Sequence, residues 1–322
     1  MIFHAVAIAF LAAGARPSPL GGPSDDAETA GLSLRLIPAK SNVFVGEPDK
    51  LTLQWSTKQP LMIDRLGVNL YLDAGEGFKE YRDCERRNQP YQFGETLQPG
   101  SALWSTYTLG AHQVRQGSAS NAGFEFALPR AGKYRVKAAY TFIGGRPPIE
   151  SNTVTIEAQW PEGREKDLFF KYLQARPEFT TTCNASLAAD DGERVEKLLR
   201  DYAHSLYLAR TRLWSWQRED GAVARRVFAG RSPMDRTPLQ ASEAQGLLQE
   251  IDSADFNGSA FDDERLVLAA QLRDKWGDHQ GTLRIYNELI AKYPESEAAE
   301  HAREWVAREL AKENRESKES PE

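Results

Sequence analysis

The chain is expected to fold as a multidomain β + α protein, an antiparallel sandwich followed by an all-α domain. Three observations predict this. Apolar residues recur at every second position from Leu32 to Trp160; after Pro161-Glu162-Gly163 they recur at every third or fourth; and Gly, Pro and Asp clusters punctuate the first half at short intervals. A period of two sends alternate side chains to opposite faces of a sheet, whereas a period near 3.6 lays a stripe along a helix.

The strands come in order. Leu32, Leu34 and Leu36 alternate with Ser33 and Arg35; Leu51, Leu53 and Trp55 with Thr52, Gln54 and Ser56; Val68, Leu70 and Leu72 continue the pattern, and Phe124, Phe126 and Leu128 form a short set. The clearest strand runs Tyr134, Val136, Ala138, Tyr140 and Phe142 on one face with Arg135, Lys137, Ala139 and Thr141 on the other. One dry face and one wet face belong to antiparallel sheets packed face to face. Turns fall at Gly46-Glu47-Pro48-Asp49, Asp73-Ala74-Gly75-Glu76-Gly77, Gln98-Pro99-Gly100 and Gly144-Gly145-Arg146-Pro147-Pro148, so about seven to nine short strands are expected. The segments Gln98-Pro99-Gly100-Ser101 and Ala131-Gly132-Lys133-Tyr134 resemble bacterial immunoglobulin-like domains. The resemblance implies that Tyr134 is a tyrosine corner bonding back to the preceding turn. The Cys pair and Trp of antibody domains are absent.

In the second half, Val195, Leu198, Leu199, Tyr202, Leu206, Ala209, Leu213 and Trp216 predict one amphipathic helix from about Glu193 to Gln217, with Asp191 as its N-cap. Residues 218–238, carrying Arg225, Arg226, Arg231 and Arg236, read as a long surface connection. Further on, Leu266, Ala269, Ala270 and Arg273 precede Trp276-Gly277-Asp278, and Leu283, Tyr286, Leu289 and Ile290 lead to Tyr293-Pro294-Glu295-Ser296. This resembles the tetratricopeptide repeat. The resemblance makes Ala270 the small residue of the first helix, Gly277 the turn, Tyr286 the aromatic of the second helix and Pro294 the stop. Thr282 and Arg273 depart from the pattern, standing where a small Ala and an aromatic are usual, and Ala298, Ala302, Trp305 and Val306 form a further amphipathic helix. An ordinary helical bundle is the alternative.

The chain has 322 residues, 46 acidic and 40 basic, for a net charge of -6. That rejects a strongly basic nucleic-acid binder. With 41% hydrophobic residues, seven Trp and fourteen Phe, disorder throughout is excluded as well. The charge is divided: residues 30–160 hold 15 basic and 12 acidic side chains, and residues 161–322 hold 24 and 31. Attraction between the halves favours docking, screened where exposed.

The apolar run Ala5 to Ala13, followed by Ala13-Gly14-Ala15, reads as a secretory signal without the usual basic start, too short to span a bilayer. The expected layout is a signal peptide at 1–15, a flexible linker at 16–30, the sandwich at 31–160, the helical domain at 161–312 and a disordered tail at 313–322. In an oxidising compartment Cys84 and Cys183 either pair, at a gain of about 4 to 5 kcal/mol, or remain free.

No catalytic constellation is complete. H-E-x-x-H, G-x-S-x-G and the phosphate-binding glycine loops are absent, and His occurs only at 4, 112, 204, 279 and 301. Residues 253–264 place Asp255, Asn257, Gly258 and Glu264 as an EF-hand loop would, but Ser253 replaces the first Asp, and Asp262 or Asp263 explains the segment as a helix cap. Trp104 lies either on an exposed sheet face suited to sugars or, as favoured, beneath a loop or the helical domain. Asn184 and Asn257 open sequons that matter only under eukaryotic secretion. The reading is a periplasmic or secreted non-enzymatic scaffold that binds a protein or peptide partner in the bacterial cell envelope, with no cofactor, no metal and no transmembrane segment after cleavage. A carbohydrate-binding protein, or a hydrolase at the domain interface, is the alternative. N-terminal sequencing of mature protein from its native host is expected to start near Arg16; an intact Met1 overturns export.

Overall fold

The computed structural model describes residues 31–63, 67–81, 95–115, 122–141, 147–180, 192–216 and 241–319. Cys84, Cys183, Asp191 and residues 217–240 lie outside them. The β-rich half comprises β1 (Ser33–Pro38), β2 (Asn42–Phe44), β3 (Asp49–Ser56), β4 (Leu61–Ile63), β5 (Val68–Asp73), β6 (Lys79–Tyr81), β7 (Glu95–Leu97), β8 (Leu103–Leu109), β9 (Ala111–Arg115), β10 (Ala122–Phe126), β11 (Gly132–Tyr140), β12 (Ile149–Glu150) and β13 (Val154–Gln159).

One sheet has the order β1-β3-β8 and a second the order β2-β13-β11-β5-β6; β9 pairs β10 and β4 pairs β7. Pairing is antiparallel except for β2 beside β13. The strands outnumber the seven to nine expected because long alternating runs are cut where the chain changes sheet: β1 pairs β3, but after Ala39 to Ser41 the chain crosses to the other sheet as β2. Between the sheets Leu36, Leu51, Leu53 and Trp55 meet Val68, Val136, Ala138 and Ile156, all buried. Each of the Leu, Val and Ile side chains contributes about 1.5 to 3 kcal/mol. Trp55 satisfies its indole N–H on Ser105 Oγ at 3.1 Å and meets Tyr140 edge-on. The Tyr134 hydroxyl donates to the Arg130 carbonyl at 2.8 Å and accepts from the Arg130 amide at 3.1 Å, closing the turn before β11.

The helical half comprises α1 (Gly163–Leu168), which runs into a π turn (Phe169–Leu173), then α2 (Gly192–Asp201), α3 (209–216), α4 (Ala241–Ser253), α5 (Asp262–Lys275), α6 (His279–Lys292) and α7 (Glu297–Glu319). The single helix expected from Glu193 to Gln217 is broken. Backbone turns replace it after Asp201, and a 3-10 turn (Leu206–Leu208) precedes α3. Glu165 of α1 causes the break to be favourable by accepting from the Ser205 hydroxyl at 2.7 Å and the Leu206 amide at 2.9 Å, while Ser205 caps Tyr207. The two halves of the stripe then enter different cores. Val195, Leu198, Leu199, Tyr207 and Leu208 join the sandwich core, together with Leu168, Phe169, Leu173 and Phe179. Ala209, Leu213 and Trp216 join the core of α4 to α7. Secondary structure therefore changes at Trp160, but the core changes only after Leu208, and residues 163–208 form a helical clasp on the sandwich. Residues 313–319, expected to be disordered, continue α7 as helical backbone; their Glu, Lys and Arg are strong helix formers.

The helical core docks on the outer face of the β1-β3-β8 sheet. Lys50 and Arg35 emerge from that face to meet acids at the shared end of α5, α6 and α7: Lys50 binds Asp263 and lies 3.9 Å from Glu264, Arg35 bonds Glu295 at 3.1 Å, and Thr106 bonds Glu297. The charge division in the sequence thus appears as contacts. The Lys50 and Asp263 side chains are only 5% and 4% exposed. Lys50→Ala is expected to cost about 3 to 5 kcal/mol because it strands a buried carboxylate, and Lys50→Met with Asp263→Leu together to recover most of it, measured by denaturant unfolding. Tyr134→Phe is expected to cost about 1 kcal/mol in the same assay.

Candidate functional site: an aromatic cleft where sandwich meets clasp

β13 ends at Gln159, and the next residue, Trp160, leaves the sheet with its ring half exposed. Pro161 is buried and turns the chain, Gly163 takes a positive φ of 53°, and α1 begins. Only glycine adopts that backbone angle readily. Along α1 and the π turn, Leu168, Phe169 and Leu173 face the sandwich core, which leaves Phe170 pointing away from it. The π turn closes through the Gln174 amide donating to the Phe169 carbonyl at 2.9 Å. Such turns replace the α pattern where packing requires a different rotation of the helix.

Two large aromatic rings are consequently left open to solvent side by side. Trp160 is 49% and Phe170 47% exposed, and the rings stack with centroids 6.0 Å apart and planes at 25°. Phe169 lies behind them, edge-on to both. With Pro161, Glu162, Gly163 and Lys166 they line an open cleft of about 530 Å³. Neither the Glu162 carboxylate nor the Lys166 ammonium has an ion-pair partner among the described residues, although both lie on the cleft rim. The cleft offers a flat apolar floor beside a carboxylate and an ammonium. Phe169 ties the floor to the molecule, packing on Phe126 of β10 and on Tyr207 of the clasp at 5.6 and 5.7 Å.

The residues singled out in the sequence lie elsewhere. Trp104 is buried, 8% exposed, on the sheet face that carries Lys50 and Thr106 toward the helices; it is not an open sugar platform. In the helical core Ala270 is fully buried, Gly277 turns with φ of 76°, Tyr286 is buried against Trp305, and Pro294 follows the end of α6. The two departures have structural partners. Thr282 bonds the Ala270 carbonyl across the helix pair at 3.3 Å, and Arg273 binds Asp252 of α4. The 253–264 segment turns its carboxylates to protein groups. Asp255 accepts from the Asn257 amide, Asp262 from Arg265, Lys292 and Tyr293, Asp263 from Lys50, and Glu264 from Arg210. Neither Asp262 nor Asp263 is the cap of α5, whose N-cap residue is Phe261; both lie in its first turn, where the helix dipole favours negative charge. Among the described residues, no group of three or more His, Cys, Asp or Glu is placed to hold a metal ion, and no helix is long and apolar enough to cross a membrane.

Trp160 and Phe170 were missed because Trp160 reads as the end of a strand. The available signal is the Phe169-Phe170 doublet on a helix whose stripe has room for only one of them.

No protein-family profile matches the chain, and no curated protein matches it. Among solved structures it is similar to the alkylpurine DNA glycosylase AlkC of Pseudomonas fluorescens bound to DNA containing an abasic site analogue, at 12% identity and a TM-score of 0.25, over 40% of this chain and 31% of that one. It is also similar to the sporulation control protein Spo0M of Bacillus subtilis, at 14% identity and a TM-score of 0.26, over 45% and 55%. The chain thus spans about a third and about half of their lengths, and likenesses this distant carry no argument about fold or activity.

Proposed function

We propose that the protein is an exported, non-enzymatic recognition protein of the bacterial cell envelope that binds a protein partner at the Trp160-Phe170 cleft. The cleft carries the reading: a stacked pair of half-exposed aromatic rings with an acid and a base, unpaired among the described residues, at its edge is the anatomy of a binding hot spot, an apolar anchor inside a polar rim. A partner side chain inserted there loses water against the rings, while its backbone or neighbouring polar groups bond Glu162 and Lys166. The rings need not move, because Phe169 holds them from behind, so little ordering cost opposes binding.

The architecture is consistent with a recognition role. The strand orders β1-β3-β8 and β2-β13-β11-β5-β6, with β2 parallel to β13 and the Tyr134 corner, support an immunoglobulin-like reading of the sandwich. The α5-α6 pair with Gly277 at its turn, extended by α7, supports a tetratricopeptide-like reading of the helical core. A flat aromatic floor also suits a sugar ring, which keeps glycan binding as the second reading.

The test is affinity capture from envelope extract with the wild type and with Trp160→Ala/Phe170→Ala. A discrete protein retained by the wild type and weakened about 30-fold or more in the variant, with the melting temperature nearly unchanged, is the expected result. Equal retention by both proteins overturns it; retention abolished by soluble glycan assigns the cleft to sugars instead.

A further inference from the structure

A carboxyl group with no route to water lies where the sandwich meets the clasp. Asp49 opens β3 opposite Leu109 of β8; it is fully buried, and among the described residues neither of its oxygens meets hydrogen-bond geometry, the Lys50 backbone amide being the donor that pulls on it. Glu47, two residues earlier and also buried, accepts from Lys40 at 2.5 Å and from the Phe44 amide at 2.8 Å. Lys50, the next residue, turns to the opposite face of the sheet and binds Asp263. From β6, the Tyr81 hydroxyl lies on the backbone of Thr108 and Gly110. From the clasp come Tyr207, whose hydroxyl donates to the Val45 carbonyl at 2.7 Å, and Glu165, engaged by Ser205 and Leu206. Among the described residues Glu47, Asp49 and Glu165 lie along this seam with Lys40, which is committed to Glu47.

We propose that the seam is a proton-operated latch: the β2-β3 turn and the clasp stay closed while Asp49 holds a proton, and ionisation of Asp49 opens them.

A neutral carboxyl tolerates a dry site at modest cost, whereas a carboxylate there, with the Lys50 amide as its donor and Glu47 beside it, does not. Burial pushes the Asp49 pKa up to about 8 and Glu47 adds to the rise, against the pull of the Lys50 amide and of the Lys40 and Lys50 charges. Opening admits water and returns the group to its ordinary value of 3.8. Because the pKa is raised in the closed state, closure is strongest below that ordinary value, weakens as pH climbs, and levels off above about 8. Within this window the opening constant rises about tenfold per pH unit, one proton being released on opening. Glu47 is raised as well, chiefly by burial, and acts in the same direction. Asp73, Asp262 and His112 are lowered and act oppositely; Asp73 sits at the far end of β5 with Arg135 and Asp262 in the helical core, while His112 of β9, edge-on to Tyr81, is common to the wild type and Asp49→Asn and leaves their contrast intact.

Amide hydrogen exchange reads the latch directly. The Val45, Gly46 and Glu47 amides bond Gln159, Leu128 and Phe44. When closing outruns exchange, the rate is the opening constant times the chemical rate, which alone rises about tenfold per pH unit. Between pH 5 and 7 these amides are expected to speed up about a hundredfold per unit in the wild type and about tenfold in Asp49→Asn. Amides of α6, in the other core, are expected to show about tenfold in both. A tenfold slope at Val45 to Glu47 in the wild type, or a hundredfold slope persisting in Asp49→Asn, overturns the proposal. If Asp49→Asn does not fold, the wild-type contrast with α6 still decides. Glu47→Gln, which keeps Asp49, is expected to retain the steep slope; its loss would move the switch to Glu47 and overturn the assignment.

Discussion

The molecule depends on how one amphipathic stripe is shared between two cores. Val195 to Tyr202 cover the sandwich, Ala209 to Trp216 enter the helical core, and the bend between them is held by Glu165. A continuous helix would have buried the whole stripe against one surface and left the other core without Leu213 and Trp216. Breaking it exposes a few backbone groups, which Glu165 and Ser205 satisfy, and retains apolar burial on both sides. The clasp, the cleft and the position of the helical core all follow from that bend.

Charge then selects the docking geometry. Lys50 and Arg35 project from one sheet face, and the first turns of α5 and α7 present Asp263, Glu264 and Glu297. Acids at helix N-termini are favourable in themselves, so the same residues serve the helices and the interface. A buried pair such as Lys50-Asp263 adds little net stability but penalises every other relative placement, because each one strands a charge. Trp104 is buried beneath the same contact, while Trp160 and Phe170 stay exposed.

That pair is exposed for a geometric reason. Phe169 and Phe170 are neighbours on a helix, and a helix has one face to offer the core, so the sandwich takes Phe169 and Phe170 remains outside. Trp160, released from β13 by Pro161, stacks on it. Neighbouring exposed rings mark recognition surfaces more often than isolated ones do.

The sequence by itself determined the order of β and α halves, most strand faces, the Tyr134 turn, the helix pair around Gly277 and the opposite charges of the two halves, because each is written in spacing between near neighbours. Only the tertiary structure decided that the Glu193 helix breaks, that the sandwich core extends to Leu208, that Trp104 is covered and Trp160 is not, and that Asp49 is sealed from water. Local periodicity states which face of an element is apolar but not which surface will cover it, and those four outcomes turn on contacts between residues far apart in the chain.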